Sequence, residues 1–241
     1  MSIVTNKNRV GRFTSSKIHC LMSKGKSAEF TVAGYTYIAE RRHERKLGRS
    51  LDTDGYSRDS AWGLFLESYV FQNYTEINCE FLGDETTINP KINCHAGSTD
   101  LLVPEVKVSD VKCYQLRKFC RIAECFIKRD LSVFRREFKE EYWQLVSNAL
   151  IHDVSRAESI IYCPSEANLK DIRDQAADYQ GADQWKYRFI YESKDHQLAY
   201  IPDGSEYDSI YKLEFDIPIE DTELLIERLG LAEQELIKLG K

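Results

Sequence analysis

The segment STDLLVPEVKVSDVKCY, residues 98–114, decides how the chain folds. Its halves, STDLLV and EVKVSDVKCY, are apolar, β-branched and separated at Pro104, so it predicts two neighbouring strands. On the second strand Asp110 and Lys112 stand two residues apart, so the pleat turns both to one side while Val111 points the other way, into the core. Asp100 lies near the end of the first. Adjacent strands that bring Asp100 and Asp110 together make an oxygen-rich site for Mg²⁺ or Mn²⁺, and the Val111 backbone carbonyl can add a ligand. Without a cation the two carboxylates repel. A divalent ion polarises a phosphoryl oxygen and lowers the pKa of water, while an ammonium beside it, here Lys112, orients the nucleophile and offsets developing charge. A spaced Asp followed by acid-x-Lys recurs by chance roughly three times in a chain of this composition, so context must decide.

Upstream, AWGLFLESYVFQNY places Trp62, Phe65, Leu66, Tyr69 and Val70 at helical spacing on one broad face. Glu67 is a lone acid among them, and a buried carboxylate needs a cation. SSKIHCLMSKG reads as a short helix, TVAGYTYIAERRHERKLG as a longer one and RSLDTDGYSRDS as a loop. INCEFL and TTINPKI read as further strands before the deciding segment. Downstream the expected order is helices in LRKFCRIAECFIK and FKEEYWQLVSNALIHD, a buried strand SIIYC, a polar helix EANLKDIRDQAADY, strands YRFIYE and SIYKLEFDI, and a final helix IEDTELLIERLGLAEQELIKLG. That is an α/β architecture, a central mixed β-sheet flanked by α-helices, expected to form one domain over residues 1–241. In the last helix Leu225, Leu229, Ala232, Leu236 and Leu239 form a stripe that either packs on its own domain or mediates self-association.

With 42% hydrophobic and 30% charged residues over 241 positions, the chain can bury a sizeable core without a metal or disulfide staple. No signal peptide or apolar span is evident, so a soluble cytoplasmic protein with no membrane partner is expected. The seven cysteines are scattered and contain no CxxC pair, which points to reduced thiols. The net charge of -6 hides a strong polarity. Lys7 to Arg49 carries eleven Lys/Arg against three acids, and Asp195 to Glu227 carries ten acids against Lys212 alone. A groove with one phosphate-facing wall would give such a distribution, and so would two solvated faces. The five histidines lack zinc spacing, and no GxxxxGKS loop is present, which disfavours zinc hydrolysis and nucleotide-driven motors.

Five ordered motifs carry a resemblance. RVGRFTSS (9–16), AWGLFLES (61–68), AGSTD (96–100), SDVKC (109–113) and EYWQLVSNAL (141–150) together resemble the lambda-exonuclease-like, YqaJ-type viral recombinase branch of the PD-(D/E)xK nucleases. The resemblance implies a restriction-endonuclease-like core. It implies that Glu67, Asp100, Asp110 and the Val111 carbonyl hold Mg²⁺ or Mn²⁺, that Lys112 positions or activates the attacking water, and that Gln144 assists. Arg9, Thr14 and Ser16, with Ser98 close by, would grip a 5′-phosphate, and Lys118 or Arg117 would supply a further phosphate-binding base. A cluster-bearing subtype is disfavoured, since Cys163 is the only late cysteine. The expected activity is a metal-dependent exonuclease working 5′ to 3′ on linear double-stranded DNA ends and leaving 3′ single strands for a phage-type annealing protein. The expected assembly is a homo-oligomer, a trimer by the resemblance, in a bacterial or phage-infected cell. A structure- or sequence-specific endonuclease, or a non-catalytic nucleic-acid-binding protein, are the alternatives. Thr99 stands in place of the usual Pro, Asp110 in place of the commoner Glu, and a Val or Ser where relatives often carry a second Gln. No motif is placed after about residue 167.

Overall fold

The computed structural model describes residues 6–51, 55–74, 79–83 and 85–239. In chain order the elements are β1 (Phe13–Thr14), α1 (Val32–Leu47), α2 (Arg58–Tyr74), β2 (Glu80–Phe81), β3 (Thr86–Ile88), β4 (His95–Ser98), β5 (Leu101–Val103), β6 (Lys107–Cys113), α3 (Leu116–Ile127), α4 (Leu131–Glu137), α5 (Lys139–His152), β7 (Arg156–Tyr162), α6 (Leu169–Asp178), α7 (Arg188–Glu192), β8 (Ile210–Asp216) and α8 (Ile219–Lys238). The main sheet has the order β2-β5-β6-β7-β8, with β6 and β7 parallel and the other pairs antiparallel. A smaller sheet, β1-β4-β3, lies beside it. This is the mixed α/β architecture expected.

Period-two alternation on the central strands splits the core into two layers. Val108, Ala157, Ile161, Leu213 and Phe215 face a layer that includes α3, α5 and α8. Val111, Ile160 and Tyr162 face the other, with α2 and α6. All five residues of the apolar face read in α2 are buried. In α8, Leu225, Leu229, Ala232 and Leu236 are buried in the chain's own core and only Leu239 is exposed, so the stripe packs on its own fold.

Several local expectations change. STDLLV is not one strand: β4 ends at Ser98 and β5 begins at Leu101 in the other sheet, so Asp100 sits in the break between them. YRFIYE is not a strand. Its aromatic and β-branched composition is overridden because Tyr187 and Ile190, three apart, both bury on one helical face, and Arg188 pairs with Glu192 one turn on at 2.6 Å. The segment after Thr14 is a 3-10 helix, Ser15–Leu21, in place of an α-helix. Helix α2 starts at Arg58, inside the stretch read as a loop, and α4 was not anticipated. INCEFL overlaps residues 75–78, which lie outside the described residues, and its visible strand is Glu80–Phe81.

The basic and acidic runs do not simply face each other across open space. α1 packs against α8, and part of the basic run is consumed internally. Arg41 pairs with buried Glu44 at 2.8 Å, and Arg45 grips Glu233 with two contacts of 2.7 Å.

Candidate active site

The site forms where β5 and β6 part. Their pairing runs from Val103↔Lys107 to Leu101↔Ser109 and goes no further. β6 continues alongside β7 to Cys113, so its other edge is left open beyond Ser109. The Asp100 side chain fills that opening: its Oδ2 accepts the Val111 backbone N–H at 2.8 Å. The N–H and C=O of one strand residue point to the same edge, so the Val111 carbonyl faces the same gap.

Asp110 and Lys112 project together from β6, as the pleat requires. Asp110 is 1% exposed and is held from two sides: the Lys112 Nζ lies 2.8 Å from its Oδ2, and Gln144 of α5 donates to its Oδ1 at 2.8 Å. Glu67 comes from α2, the helix that packs over the Val111 face and whose Gly63 lies against the Cys113 carbonyl. Burial, the charge of Asp110 and the charge of Glu67 raise the Asp100 carboxyl well above the usual Asp range. Burial opposes the Lys112 charge, yet Asp110, Asp100 and Glu67 together hold its ammonium above the ordinary lysine range. Three carboxylates and one ammonium from α2, the strand break and β6 thus share one electrostatic neighbourhood. Among the described residues, no three acidic, His or Cys side chains are gathered into a ready-made metal cage. The donor set is nevertheless chemically suited to a hard divalent cation: oxygen ligands, mutual repulsion that a cation relieves, and one ammonium partly neutralising them in its place.

The residues expected at a phosphate recess divide. An Arg9 N–H reaches Ser16 Oγ at 3.4 Å. Ser98 lies on β4 opposite Thr86, with hydroxyls 3.0 Å apart. Thr14 pairs with Ala96 of the same sheet, but it is buried and its hydroxyl lies 3.2 Å from the Tyr37 hydroxyl. Lys118 stands apart on α3, bound to Glu141 at 2.5 Å with its ammonium 4.2 Å from the Tyr114 ring centre.

Two polar arrangements were not foreseen. Tyr114 donates to Glu141 at 2.9 Å, and Glu141 shares a face of α5 with Gln144, three residues on; that spacing was visible in the sequence. The second is a buried relay. Asn89 Oδ1 accepts the N–H groups of Lys91 and Ile92, so its amide nitrogen must donate to His95 Nδ1, at 3.2 Å. His95 Nε2–H then donates to Ser147 Oγ at 2.6 Å, and Ser147 lies 2.8 Å from Ser15 Oγ. Ser147 therefore ties α5 to the segment that carries Ser16. Gly97 permits this approach, since a Cβ there would stand 2.1 Å from Ser15 Oγ and 2.5 Å from Asn148 Oδ1. All seven cysteines are free thiols, and burial pushes Cys94 up to about 11 and Cys163 up to about 12, well away from reactive thiolate chemistry.

No family model and no curated protein matches the chain by sequence. Solved structures do match by fold. The alkaline exonuclease LHK-Exo from Laribacter hongkongensis aligns over 96% of this chain and 93% of its own with a TM-score of 0.59 at 15% identity. The same enzyme in complex with dAMP aligns over 97% and 94%, with a TM-score of 0.59 at 14% identity. A phage-related exonuclease from Haemophilus somnus 129PT aligns over 95% and 94%, with a TM-score of 0.58 at 16% identity. Exonuclease structures are what the ordered motifs lead one to expect, and over nearly its whole length this chain has their fold.

Proposed function

We propose that the chain is a metal-dependent deoxyribonuclease, an exonuclease that hydrolyses linear duplex DNA from the 5′ end and leaves a 3′ single strand. The observation that carries this reading is the meeting of Asp100, Asp110, Lys112 and Gln144 at the gap between β5 and β6, within the charge field of Glu67. The fold shared with two exonucleases supports it.

Asp100, Asp110 and the Val111 carbonyl, with Glu67, are the groups that would hold Mg²⁺ or Mn²⁺. A divalent cation, when bound, supplies Lewis-acid polarisation of the scissile phosphate and makes water a stronger nucleophile at neutral pH. The remaining work belongs to the chain. Lys112 orients the attacking water and offsets charge building on the phosphate. Gln144 holds Asp110 in place through its amide. Arg9 and Ser16, together with Ser98, would offer an N–H fork and hydroxyls to a terminal 5′-phosphate, and Lys118 would offer a more distant cation. A homotrimer and an annealing-protein partner in a bacterial or phage-infected cell belong to the same reading. Such a ring would form through surfaces other than the buried leucine stripe of α8. Among the described residues no helix is long and apolar enough to cross a membrane.

The test is a time course on end-labelled linear duplex with Mg²⁺ or chelator, comparing 5′-phosphate and 5′-hydroxyl ends, with closed circular DNA alongside. Metal-dependent loss of the linear 5′-phosphorylated duplex, with the circle spared, is expected. In Arg9→Ala the preference for phosphorylated ends should fall about tenfold or more, since a hydrogen bond to a charged group contributes about 1.5–3 kcal/mol. Cutting of the circle would favour an endonuclease, and no cutting would leave a binding protein.

A further inference from the structure

Before the first turn of α2, a second surface carries groups that the hydrolytic site does not use. Tyr56 and Trp185 stand side by side, 45% and 58% exposed, with ring centres 5.1 Å apart. The arrangement is built, not incidental: the Tyr56 hydroxyl donates to the Lys186 carbonyl at 3.0 Å and fixes one loop to the other. With Arg58 and Arg188 the two rings line a shallow cleft of about 450 Å³. The Lys186 ammonium lies 5.9 Å from the Trp185 ring centre. The Arg58 guanidinium lies 5.8 Å from the Phe189 ring centre and has no carboxylate partner among the described residues. Two acids are also present, each paired locally: Asp183 with Lys186 at 3.8 Å and Glu192 with Arg188 at 2.6 Å. The other two tryptophans, Trp62 and Trp143, are buried.

The cleft is also close to the chemistry. Arg58 and Glu67 lie nine positions apart on one helix, about 13 Å along its axis. Gln115, just past β6, donates to Asp59 at 3.1 Å and so ties this end of α2 to the strand bearing Lys112. The span between cleft and hydrolytic site is that of a few nucleotides.

We infer that this cleft binds an unpaired DNA strand, with bases stacking on Trp185 and Tyr56 and phosphates meeting Arg58 and its neighbouring cations. Exposed rings with interleaved cations fit that ligand because every unpaired base offers a π-face and every nucleotide a phosphate. A duplex keeps its bases stacked inside and cannot use the rings in this way. The inference rests on the nuclease reading only for why such a strand would be at hand.

Trp185 makes the cleft directly readable, because it is the exposed tryptophan. The full chain, with chelator present to prevent cleavage, is titrated with a twelve-residue oligo(dT) while tryptophan emission is followed. Saturable quenching is expected, and an abasic strand of equal length should bind about tenfold more weakly or worse, as loss of base stacking predicts. Followed by the anisotropy of a labelled oligo(dT), which needs no tryptophan, Trp185→Ala and Tyr56→Ala should each weaken binding by about fivefold or more, with Trp185→Phe retaining most of it. Equal affinity for the abasic strand, or unchanged affinity in Trp185→Ala, overturns the inference. So does emission that changes with protein concentration alone, which would place a second copy of the chain in the cleft. Duplex cleavage without quenching removes the cleft and leaves the nuclease; quenching without duplex cleavage does the reverse.

Discussion

Two buried charge clusters in this chain are built on opposite plans. Around Arg228 of α8, which is 1% exposed, every neighbour is favourable. Its guanidinium donates to the carbonyls of Leu21 at 2.6 Å, Glu29 at 2.6 Å and Ser23 at 3.4 Å, meets the Glu29 carboxylate at 3.4 Å, and lies 4.1 Å from the Phe30 ring centre. Around Asp100 the neighbours conflict, since a buried carboxylate is set beside Asp110 and within the field of Glu67 with Lys112 as the cation among them. One cluster closes α8 onto the 3-10 segment and the loop that follows. The other keeps an electrostatic need that folding does not meet, as the proposed nuclease site would use it.

That contrast can be broken by substitution. Arg228→Met should destabilise the protein by about 3–5 kcal/mol in denaturant unfolding, because three carbonyls lose a charged donor in a dry corner. Its turnover per folded molecule should hold. Lys112→Ala should cut hydrolysis by about a hundredfold to a thousandfold, the usual effect of losing a charge-stabilising donor, while DNA binding persists in a mobility-shift assay. A variant that keeps full activity would remove Lys112 from the chemistry.

His95 sharpens the comparison, being a titratable group buried in a fully satisfied setting. Burial lowers it from 6.5 to about 3, so the folded protein keeps it neutral while the unfolded chain takes up a proton below 6.5. Stability should therefore be intact above about pH 6.5 and fall as pH drops towards 3, by at most about 1.4 kcal/mol per pH unit from this group. Unfolding midpoints across that range, with and without His95→Asn, isolate the contribution; an unchanged slope would refute it. The smallest effect is a gain. Asp100→Asn keeps an acceptor for the Val111 N–H and removes a repelling charge, so it should raise stability at neutral pH by on the order of 1 kcal/mol while abolishing cleavage. The sign follows from the raised carboxyl: the folded form binds its proton more tightly than the unfolded form, so the wild-type protein loses stability as pH rises, and the variant should not. Thermal melts of both proteins at two pH values check it.

The parts of this site that were legible share one property: their geometry is local. The pleat relation of Asp110 to Lys112 and the helical face around Glu67 need only the period of one element, and both stand as read. Gln144 was reachable only through its resemblance to a known helix, because nothing in residues 139–152 alone says that an amide there meets Asp110. The break at Thr99 and Asp100 was not legible, since β4 is drawn away by parallel pairing with Phe13 and Thr14, some eighty residues earlier. The relay from Asn89 to Ser15 likewise depends on distant pairs, its links from His95 to Ser147 and from Ser147 to Ser15 spanning 52 and 132 residues. At Tyr187 to Glu192 the pattern fits either period over so few residues, and burial of one face settles it as helix.

The bond from the Val111 amide to Asp100 clamps one oxygen of that carboxylate to the backbone of β6. The second oxygen consequently inherits its aim from the ladder between β6 and β7, with no freedom left to a lone rotamer. Whatever electrophile it addresses is met at a bearing as stiff as the sheet, and lengthening the β5–β6 pairing by even one residue pair would withdraw that oxygen from use.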